Sequence, residues 1–377
     1  MDFFLSEEQE MLRTAARGFL DKECPKTLVR QIEKDAKGYS PELWGKMADL
    51  GWMGLIFPEE YGGMGLSILD LIILMEEMGR ALVPGPFLPT VVLGGFPLLV
   101  AGTNEQKQKF LPKITQGEIC FTMALTEPAF SYDPKDIAVS ASLQEGMYVL
   151  NGTKLFVPNA DIADWILCVA RTNLPEEKDE CLTIFPVEAK NKGVTIIPLN
   201  TFAPERQCEV HFENVGVAAE NTIGDPGKGW EIIERTLQLA SVAQSALMLG
   251  EMQQAMEMTI DYAKERIQFD RPIGSFQTIQ HKCADIATYI ESARFLTYQA
   301  AWRLSNDLPC SEEISIAKAF SMQACNEVYP QAHQIHGAIA FTLDHDLGLY
   351  SRRSKNLEAF FGDSAYHHEI IAQHMGL

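Results

Sequence analysis

Residues 355–369, with the sequence KNLEAFFGDSAYHHE, bring together three carboxylates and two histidines. A carboxylate can take a proton from a substrate when it lies within hydrogen-bond reach of that proton, and Asp363 is the candidate base here. The same residue stands directly before Ser-Ala-Tyr, where its side chain could instead cap the last helix of the chain. We favour the cap. We expect Glu358 to be solvated, and His367 and His368 to lie at the surface or at an interface.

The other motifs of the sequence exclude several kinds of chemistry. There is no GxGxxG or GxxxxGK[ST] phosphate loop, no HExxH zinc helix and no GxSxG nucleophile turn. His333 and His336 are three residues apart, but no further ligand stands at a spacing typical of zinc sites. We therefore expect no metal site.

The chain is strongly acidic, with 51 acidic and 31 basic residues and a formal net charge of −20. Such a chain repels phosphate backbones, so we expect no nucleic-acid binding. No apolar run reaches the ~20 residues that span a bilayer, and the start of the sequence lacks the basic segment of a signal peptide. The eight cysteines are scattered without a CxxC pair. This pattern is typical of reduced thiols in a cytoplasmic protein.

The hydrophobic pattern divides the chain into three segments. Residues 1–120 show helical periodicity and helix-start signals, such as the capping box Ser6–Gln9, which predicts an N-terminal helical domain. Residues 121–225 contain short runs of β-branched and aromatic residues separated by turn residues, which predicts a middle domain of antiparallel strands. Residues 226–377 return to long amphipathic helices, interrupted in the first of them only by Gly250, which predicts a four-helix bundle. The expected fold class is mainly α with a middle β domain, an α+β arrangement.

Five short motifs follow one another along this helix–strand–helix chain. They are PEEYGG at 58–63, TEP at 126–128, NGTK at 151–154, RIQFDRPIGSFQ at 266–277 and QIHGAIAFT at 334–342. We expect Asn151-Gly152 to form a turn. Each motif alone is weak, but their order and spacing are specific, and on these residues the chain resembles the acyl-CoA dehydrogenase family over essentially its whole length. The resemblance implies FAD as cofactor, an acyl-CoA substrate, a dimer or tetramer, and electron transfer to an electron-transfer flavoprotein.

The resemblance also implies roles for individual residues. Thr126 would hydrogen-bond the isoalloxazine ring of FAD, Phe156 would pack against that ring, and Arg266 would bind the pyrophosphate of a neighbouring subunit's FAD, a contact that suits arginine. The cofactor-binding residues expected in this way are Thr126, Phe156, Arg266, Phe269, Gln334 and Gly337. The expected substrate-binding residues are Tyr132, Gln238 and Ser241.

At several positions the sequence departs from the family's pattern. Phe361 stands where many members carry a catalytic glutamate. Ala240 stands at a second location used for that base, followed by Ser241 in place of an arginine. On the flavin side, Tyr132 replaces a serine, and Pro158, which has no N–H to donate, replaces a threonine. Neither usual base is present, whereas the residues on the pyrophosphate side (Arg266, Phe269, Gln334 and Gly337) are retained, although the family's Gly-Gly becomes Gly337-Ala338.

Three hypotheses follow for the function. The first is FAD-dependent α,β-oxidation of an acyl-CoA thioester by a homo-oligomer, with Asp363 as a relocated base. The second is a non-catalytic subunit of a heteromeric acyl-CoA dehydrogenase, which completes the FAD site of a sister chain. The third is oxidation of a ring substrate with a different regiochemistry.

Overall fold

The computed structural model describes residues 5–172, 181–203 and 205–377. The helices are α1 Glu7–Glu23, α2 Lys26–Ile32, α3 Pro41–Asp49, α4 Ile68–Ala81, α5 Phe96–Ala101, α6 Asn104–Thr115, α7 Gly229–Glu265, α8 Gln277–Ser305, α9 Ser311–His336, α10 Leu347–Leu357 and α11 Ser364–His374. The strands are β1 Phe121–Ala124, β2 Ser140–Gln144, β3 Met147–Pro158, β4 Trp165–Thr172, β5 Leu182–Glu188, β6 Val194–Pro198, β7 Gln207–Ala218, β8 Ile267–Gln268 and β9 Arg271–Pro272. The predicted order of helical, β and helical segments is confirmed.

The predicted start of the first helix is confirmed in atomic detail. The Ser6 hydroxyl accepts a hydrogen bond from the Gln9 N–H at 3.2 Å, and the Gln9 side chain accepts one from the Ser6 N–H at 3.1 Å. This reciprocal box satisfies backbone donors that have no partner inside the helix.

The prediction of a purely antiparallel sheet is wrong, because the seven-stranded sheet is mixed. Its strand order is β1-β4-β2-β3-β7-β6, with β5 paired to β4 off this path. Strands joined by short connections, such as β2 and β3 or β4 and β5, pair antiparallel. Strand β4 lies parallel to both β1 and β2, neither of which directly precedes it in the chain. A strand pattern does not encode the direction in which distant strands pair, so the sequence could not supply this feature.

The expected turn at Asn151-Gly152 is also wrong. Both residues lie inside β3, where the pairing with β7 shifts register between Leu150 and Gly152. Gly152 has a φ of 139°, and a Cβ at this position would lie 2.8 Å from Val139 Cγ2. Glycine here therefore permits a β-bulge with a closely packed neighbour.

The chain forms two compact units. One comprises the residues up to 31 together with 67–83 and 241–377, and its secondary structure is helical apart from the β8–β9 hairpin. The other comprises 32–66 and 84–240 and contains the seven-stranded sheet, whose core is formed by apolar residues such as Tyr148, Leu150 and Phe185. The division into three domains at about 120 and 225 stays a prediction. No helix among the described residues has both the length and the apolar character needed to cross a bilayer.

Within the helical unit, α4 and α7 cross with their backbones in direct contact. A methyl group on Gly250 would overlap the Glu76 carbonyl oxygen and lie 2.7 Å from the Arg80 nitrogen. A methyl group on Gly79 would overlap the Leu247 carbonyl group. Gly250, the one residue that weakens the helical pattern of α7, is therefore required by packing rather than by a helix end.

We expect Gly250→Ala to lower the free energy of unfolding by about 1–3 kcal/mol, because the added methyl group overpacks a filled contact. This should occur although alanine is the better helix former by about 1 kcal/mol. The matched control is Gly18→Ala in α1, where an added Cβ meets nothing within 4 Å. Urea unfolding followed by circular dichroism measures both variants. Equal stability of the two variants would contradict the close contact between the helices.

Candidate active site

The predicted flavin-binding segment around Thr126 follows β1 and is tied to β3. The Thr126 carbonyl oxygen accepts a hydrogen bond from the Leu155 N–H at 2.8 Å. One residue further on, the Glu127 carboxylate lies 2.6 Å from the Lys154 ammonium. Both of these charged side chains are buried, with exposed fractions of 5% and 0%.

The buried pair satisfies most of its hydrogen-bonding capacity within the same unit. Glu127 also accepts hydrogen bonds from the backbone N–H groups of Ala138 and Val139 at 2.6 and 3.0 Å. Lys154 also donates to the Leu125 carbonyl oxygen at 2.9 Å. Burial lowers the pKa of Lys154, and the nearby carboxylate of Glu127 opposes that shift. The pair therefore connects the segment after β1, strand β3 and the loop before β2 through one charged contact.

Two phenylalanines next to this pair have strained backbones. Phe156 on β3 has a φ of 51° and Phe130 has a φ of 54°. Their rings lie 5.6 Å apart between centroids, and Phe130 is exposed. A bulky residue at positive φ is an outlier that persists only when the surrounding structure holds it there. Tyr132, a predicted substrate contact, is half-buried in the same segment as Phe130.

Position 361 lies in the turn between α10 and α11 of the helical unit. Phe361 is half-buried, has a φ of 58°, and its carbonyl oxygen lies 3.5 Å from the Ser241 hydroxyl. The structure therefore brings together two positions that the sequence marked as departures. Ala240 beside Ser241 is buried, and Gln238 one turn earlier on α7 is half-buried in the sheet-containing unit.

Asp363 has the role that we favoured from the sequence. Its Oδ1 accepts a hydrogen bond from the Tyr366 N–H at 2.9 Å, so it is the N-cap of α11. Its side chain is exposed. Its role as a base stays a prediction.

Two other expectations for this stretch are wrong. His367 is buried, with an exposed fraction of 3%, because its ring lies between α9 and the turn that precedes α11. Glu358 is half-buried rather than solvated. Its Oε2 pairs with the Lys355 ammonium at 3.0 Å, and its enclosed Oε1 has no hydrogen-bond partner among the described residues. Helical spacing alone did not reveal that α9 covers this side of the turn.

The residues predicted for the pyrophosphate side lie in two places of the helical unit. Arg266 and Phe269 belong to the β8–β9 hairpin region, where both are exposed and Phe269 has a φ of 53°. Gln334 lies near the end of α9, and its Oε1 accepts a hydrogen bond from the Lys282 ammonium at 2.9 Å. Gly337 caps α9 with a φ of 70° and a ψ of −148°, a backbone conformation open almost only to glycine.

A cavity of about 680 Å³ lies between α9 and α10, and Gln334 and Gly337 are part of its lining. Residues of its wall also carry two buried polar atoms without a hydrogen-bond partner among the described residues, His333 Nδ1 and Glu358 Oε1. Buried polar atoms nearly always have a hydrogen-bond partner in a folded protein. Because these atoms have almost no accessible surface, a group in the cavity could reach them only after the lining side chains move.

Several of these residues fit a group that carries a diphosphate. A guanidinium exposed at Arg266 can take two phosphate oxygens at once. The Gly337 backbone can approach a ligand closely, since nothing lies within 4 Å of the place a Cβ would occupy. Among the described residues, no group of three or more His, Cys, Asp or Glu side chains is arranged to hold a metal ion.

Sequence reasoning missed Glu127, Lys154 and His367. Glu127 lies in the TEP motif and Lys154 in the NGTK motif, but neither residue was predicted to have a role. The available signal was a lone basic residue, Lys154, within a run of strand-forming residues, and a lone acidic residue, Glu127, directly after such a run. Such residues are rarely buried unless they pair with each other.

Family models for acyl-CoA dehydrogenases match the chain in three consecutive parts. The N-terminal domain model matches residues 6–118, the middle domain model 122–215 and the C-terminal domain model 227–376. The chain belongs to the acyl-CoA dehydrogenase family, a family of flavoprotein oxidoreductases. This confirms the predicted family.

Individual relatives match over nearly their whole length. The chain is 32% identical to a 3-(aryl)acrylate reductase of Clostridium sporogenes, over 99% of each sequence. It is 31% identical to the caffeyl-CoA reductase-Etf complex subunit CarC of Acetobacterium woodii, over 98% of each sequence. Among solved structures, butyryl-CoA dehydrogenase from Megasphaera elsdenii superposes with a TM-score of 0.92, at 29% identity and over 100% of both chains.

We expect Lys154→Met and Glu127→Gln each to lower the free energy of unfolding by about 3–5 kcal/mol, because each leaves one buried charge without its partner. The double variant should cost less than the sum of the two, since it leaves no unpaired charge. Urea unfolding of the three variants measures this coupling.

The matched control is Lys46→Met, which breaks an exposed pair with Glu42 at the same N–O distance of 2.6 Å. Exposed pairs contribute about 0–1 kcal/mol, so this control should change little. If Lys154→Met is as mild as Lys46→Met, the buried pair does not hold the Thr126 segment.

Proposed function

We propose that this chain is an FAD-dependent oxidoreductase that oxidises the Cα–Cβ bond of an acyl-CoA thioester and passes the electrons to an electron-transfer flavoprotein. A cytoplasmic homo-oligomer is the form in which we expect it to act. Membership of the acyl-CoA dehydrogenase family supports the reaction class. The relative named as part of a reductase–Etf complex supports an electron-transfer flavoprotein as partner.

The observation that carries this proposal is the construction of the flavin side. The buried Lys154–Glu127 pair fixes the Thr126 segment against β3. Phe156 follows on the same strand, two residues after Lys154. A redox cofactor needs such fixed surroundings, because the protein contributes orientation and electrostatics while the cofactor contributes the electron chemistry. FAD, when bound, supplies the hydride acceptor.

The chain's own residues must manage the proton that leaves the α-carbon. Phe361 cannot accept it, and Ala240 cannot either. Asp363 is our candidate acceptor, because its N-cap bond engages Oδ1 and leaves Oδ2 for a proton. Since a positioned general base contributes about 10²–10⁴-fold to the rate, a chain whose base is displaced from the family's position should be a slow enzyme.

We expect Phe361→Glu to speed reduction of the bound flavin by butyryl-CoA about 100-fold or more, because it restores a carboxylate at the family's base position. Stopped-flow absorbance of the flavin measures the rate. The matched control is Phe360→Glu. It adds the same charge one residue earlier, at a position whose side chain is also half-buried. Equal rates for the two variants, or no flavin reduction in Phe361→Glu, would overturn the assignment of position 361.

A second function is favoured by one specific observation, the uneven state of the two halves of the site. The half that would serve a neighbouring subunit, with Arg266, Gln334 and Gly337, matches the family pattern. At two positions that the family uses within one chain, this sequence has Phe361 and Pro158 in place of functional residues. This pattern supports a partner subunit in a hetero-oligomer, which completes the FAD site of a sister acyl-CoA dehydrogenase chain.

The two readings differ in how single variants change the flavin content. In a homo-oligomer, Arg266→Ala and Phe156→Ala should both lower the flavin bound per chain. In a hetero-oligomer that uses only the donated half, Arg266→Ala should remove flavin from the purified complex and Phe156→Ala should leave it unchanged. Flavin absorbance per chain, measured on protein purified from its native host, decides between the two hypotheses. One flavin per chain in the isolated wild-type protein would exclude the partner-subunit hypothesis.

A further inference from the structure

The turn formed by residues 357–363 is held in an unfavourable conformation. Phe361 has a φ of 58°, and Gly362 after it has a φ of 94°. A side chain on Gly362 would overlap the Tyr366 ring and lie 2.9 Å from His367 Nε2, so the turn packs closely against α11. A phenylalanine at positive φ requires contacts that outweigh its local strain.

Three polar side chains from three helices supply such contacts from the inside of the unit. His367 Nε2 on α11 lies 3.0 Å from the Phe361 carbonyl oxygen, and the Ser241 hydroxyl on α7 lies 3.5 Å from the same oxygen. The Lys318 ammonium on α9 donates to the Leu357 carbonyl oxygen at 2.8 Å. Both His367 and Lys318 are buried.

The hydrogen bonds of His367 define its tautomer. A carbonyl oxygen only accepts, so Nε2 must carry the proton that it donates to Phe361. Nδ1 then accepts from the Ser315 hydroxyl, 3.3 Å away on α9. The ring is neutral with both nitrogens engaged.

The surroundings of His367 keep it neutral over the physiological range. Burial lowers the pKa of His367 to about 4, and the cation of Lys318 acts in the same direction. The Phe361 carbonyl and the Asp363 carboxylate oppose this shift, while His368 on the same helix adds to it. The His367 ring should therefore stay neutral between about pH 6 and 8, although burial lowers the pKa of Lys318 to about 7 and its charge changes within that range.

We propose that His367 is a positioning residue, which fixes the Phe361 peptide group and thereby the direction of the side chain at position 361. This inference rests on the proposed function, in which position 361 faces the reacting thioester. Because the carbonyl of residue 361 is held, rotation about its Cα–C bond is restricted, and this restricts the direction of its Cα–Cβ bond relative to the turn. Lys318 restricts the other end of the turn at Leu357.

The first test follows hydrogen exchange in the segment 355–366 by mass spectrometry on the purified full chain, with any co-purifying partner retained. We expect His367→Leu to speed exchange in this segment roughly tenfold, since one buried hydrogen bond is lost, and to leave α1 unchanged. His367→Gln keeps an N–H donor and an acceptor, and it should exchange like the wild type. If His367→Leu is too unstable to purify, Ser315→Ala, which removes only the partner of Nδ1, should give a smaller increase in the same segment.

The second test uses Phe361→Glu as the background. In this variant kcat depends on how well the new carboxylate is aligned with the substrate. Adding His367→Leu should lower kcat at least tenfold with KM nearly unchanged, and adding His367→Gln should restore kcat. A purely structural role would lower the amount of folded protein instead and would not distinguish glutamine from leucine in kcat.

The two tests separate the two proposals. Unchanged exchange in both His367→Leu and Ser315→Ala, or equal exchange in the glutamine and leucine variants, overturns the positioning role. An inactive Phe361→Glu with faster exchange in His367→Leu leaves the positioning role supported and overturns the proposed function of position 361.

Discussion

The buried contact between Lys154 and Glu127 is the interaction on which the Thr126 segment, our proposed flavin contact, depends. Removing two charges from water is costly, and only close pairing with further hydrogen bonds offsets that cost. Here the offset comes from backbone groups on both sides of the pair, namely the N–H groups of Ala138 and Val139 and the carbonyl group of Leu125. The pair holds the segment after β1, strand β3 and the loop before β2 in one arrangement. That arrangement fixes the positions of Thr126 and Phe156.

Backbone strain marks the same regions independently of any motif. Ten non-glycine residues among those described have positive φ, and four of them are phenylalanines: Phe130, Phe156, Phe269 and Phe361. A phenylalanine side chain makes no local hydrogen bond that would stabilise a positive φ. The short polar side chains of asparagine and aspartate can make one, so these residues tolerate the conformation. All four fall in or next to segments for which the family resemblance implies contact with cofactor or substrate. Strain concentrated in this way is typical of sites whose geometry the rest of the fold enforces.

The turn around Phe361 combines a well-supported frame with an unreactive side chain. Lys318, Ser241 and His367 hold its carbonyl groups from three helices, as would suit a catalytic residue that must point in one direction. The residue at the centre is nevertheless apolar. A slow enzyme with a displaced base and a partner subunit of a catalytic sister chain both account for this combination. They differ in whether the segment around Lys154, which we propose contacts flavin, binds a flavin at all.

Periodicity, capping signals and turn residues predicted the helical, β and helical order of the chain, the capping box at Ser6 and the N-cap at Asp363, because these features arise from neighbours within a few residues. The motif spacing was sufficient to indicate the family. The parallel pairing of β4, the bulge at Gly152 and the burial of His367 and Glu358 could not be predicted, since each depends on a partner that is distant in the chain. The same holds for Gly250, where the contact with α4 leaves no room for a side chain. The sequence by itself determined which residues could do chemistry. Only the tertiary structure decided which of them are enclosed, paired or held in strain, because burial and direction are properties of packed neighbours.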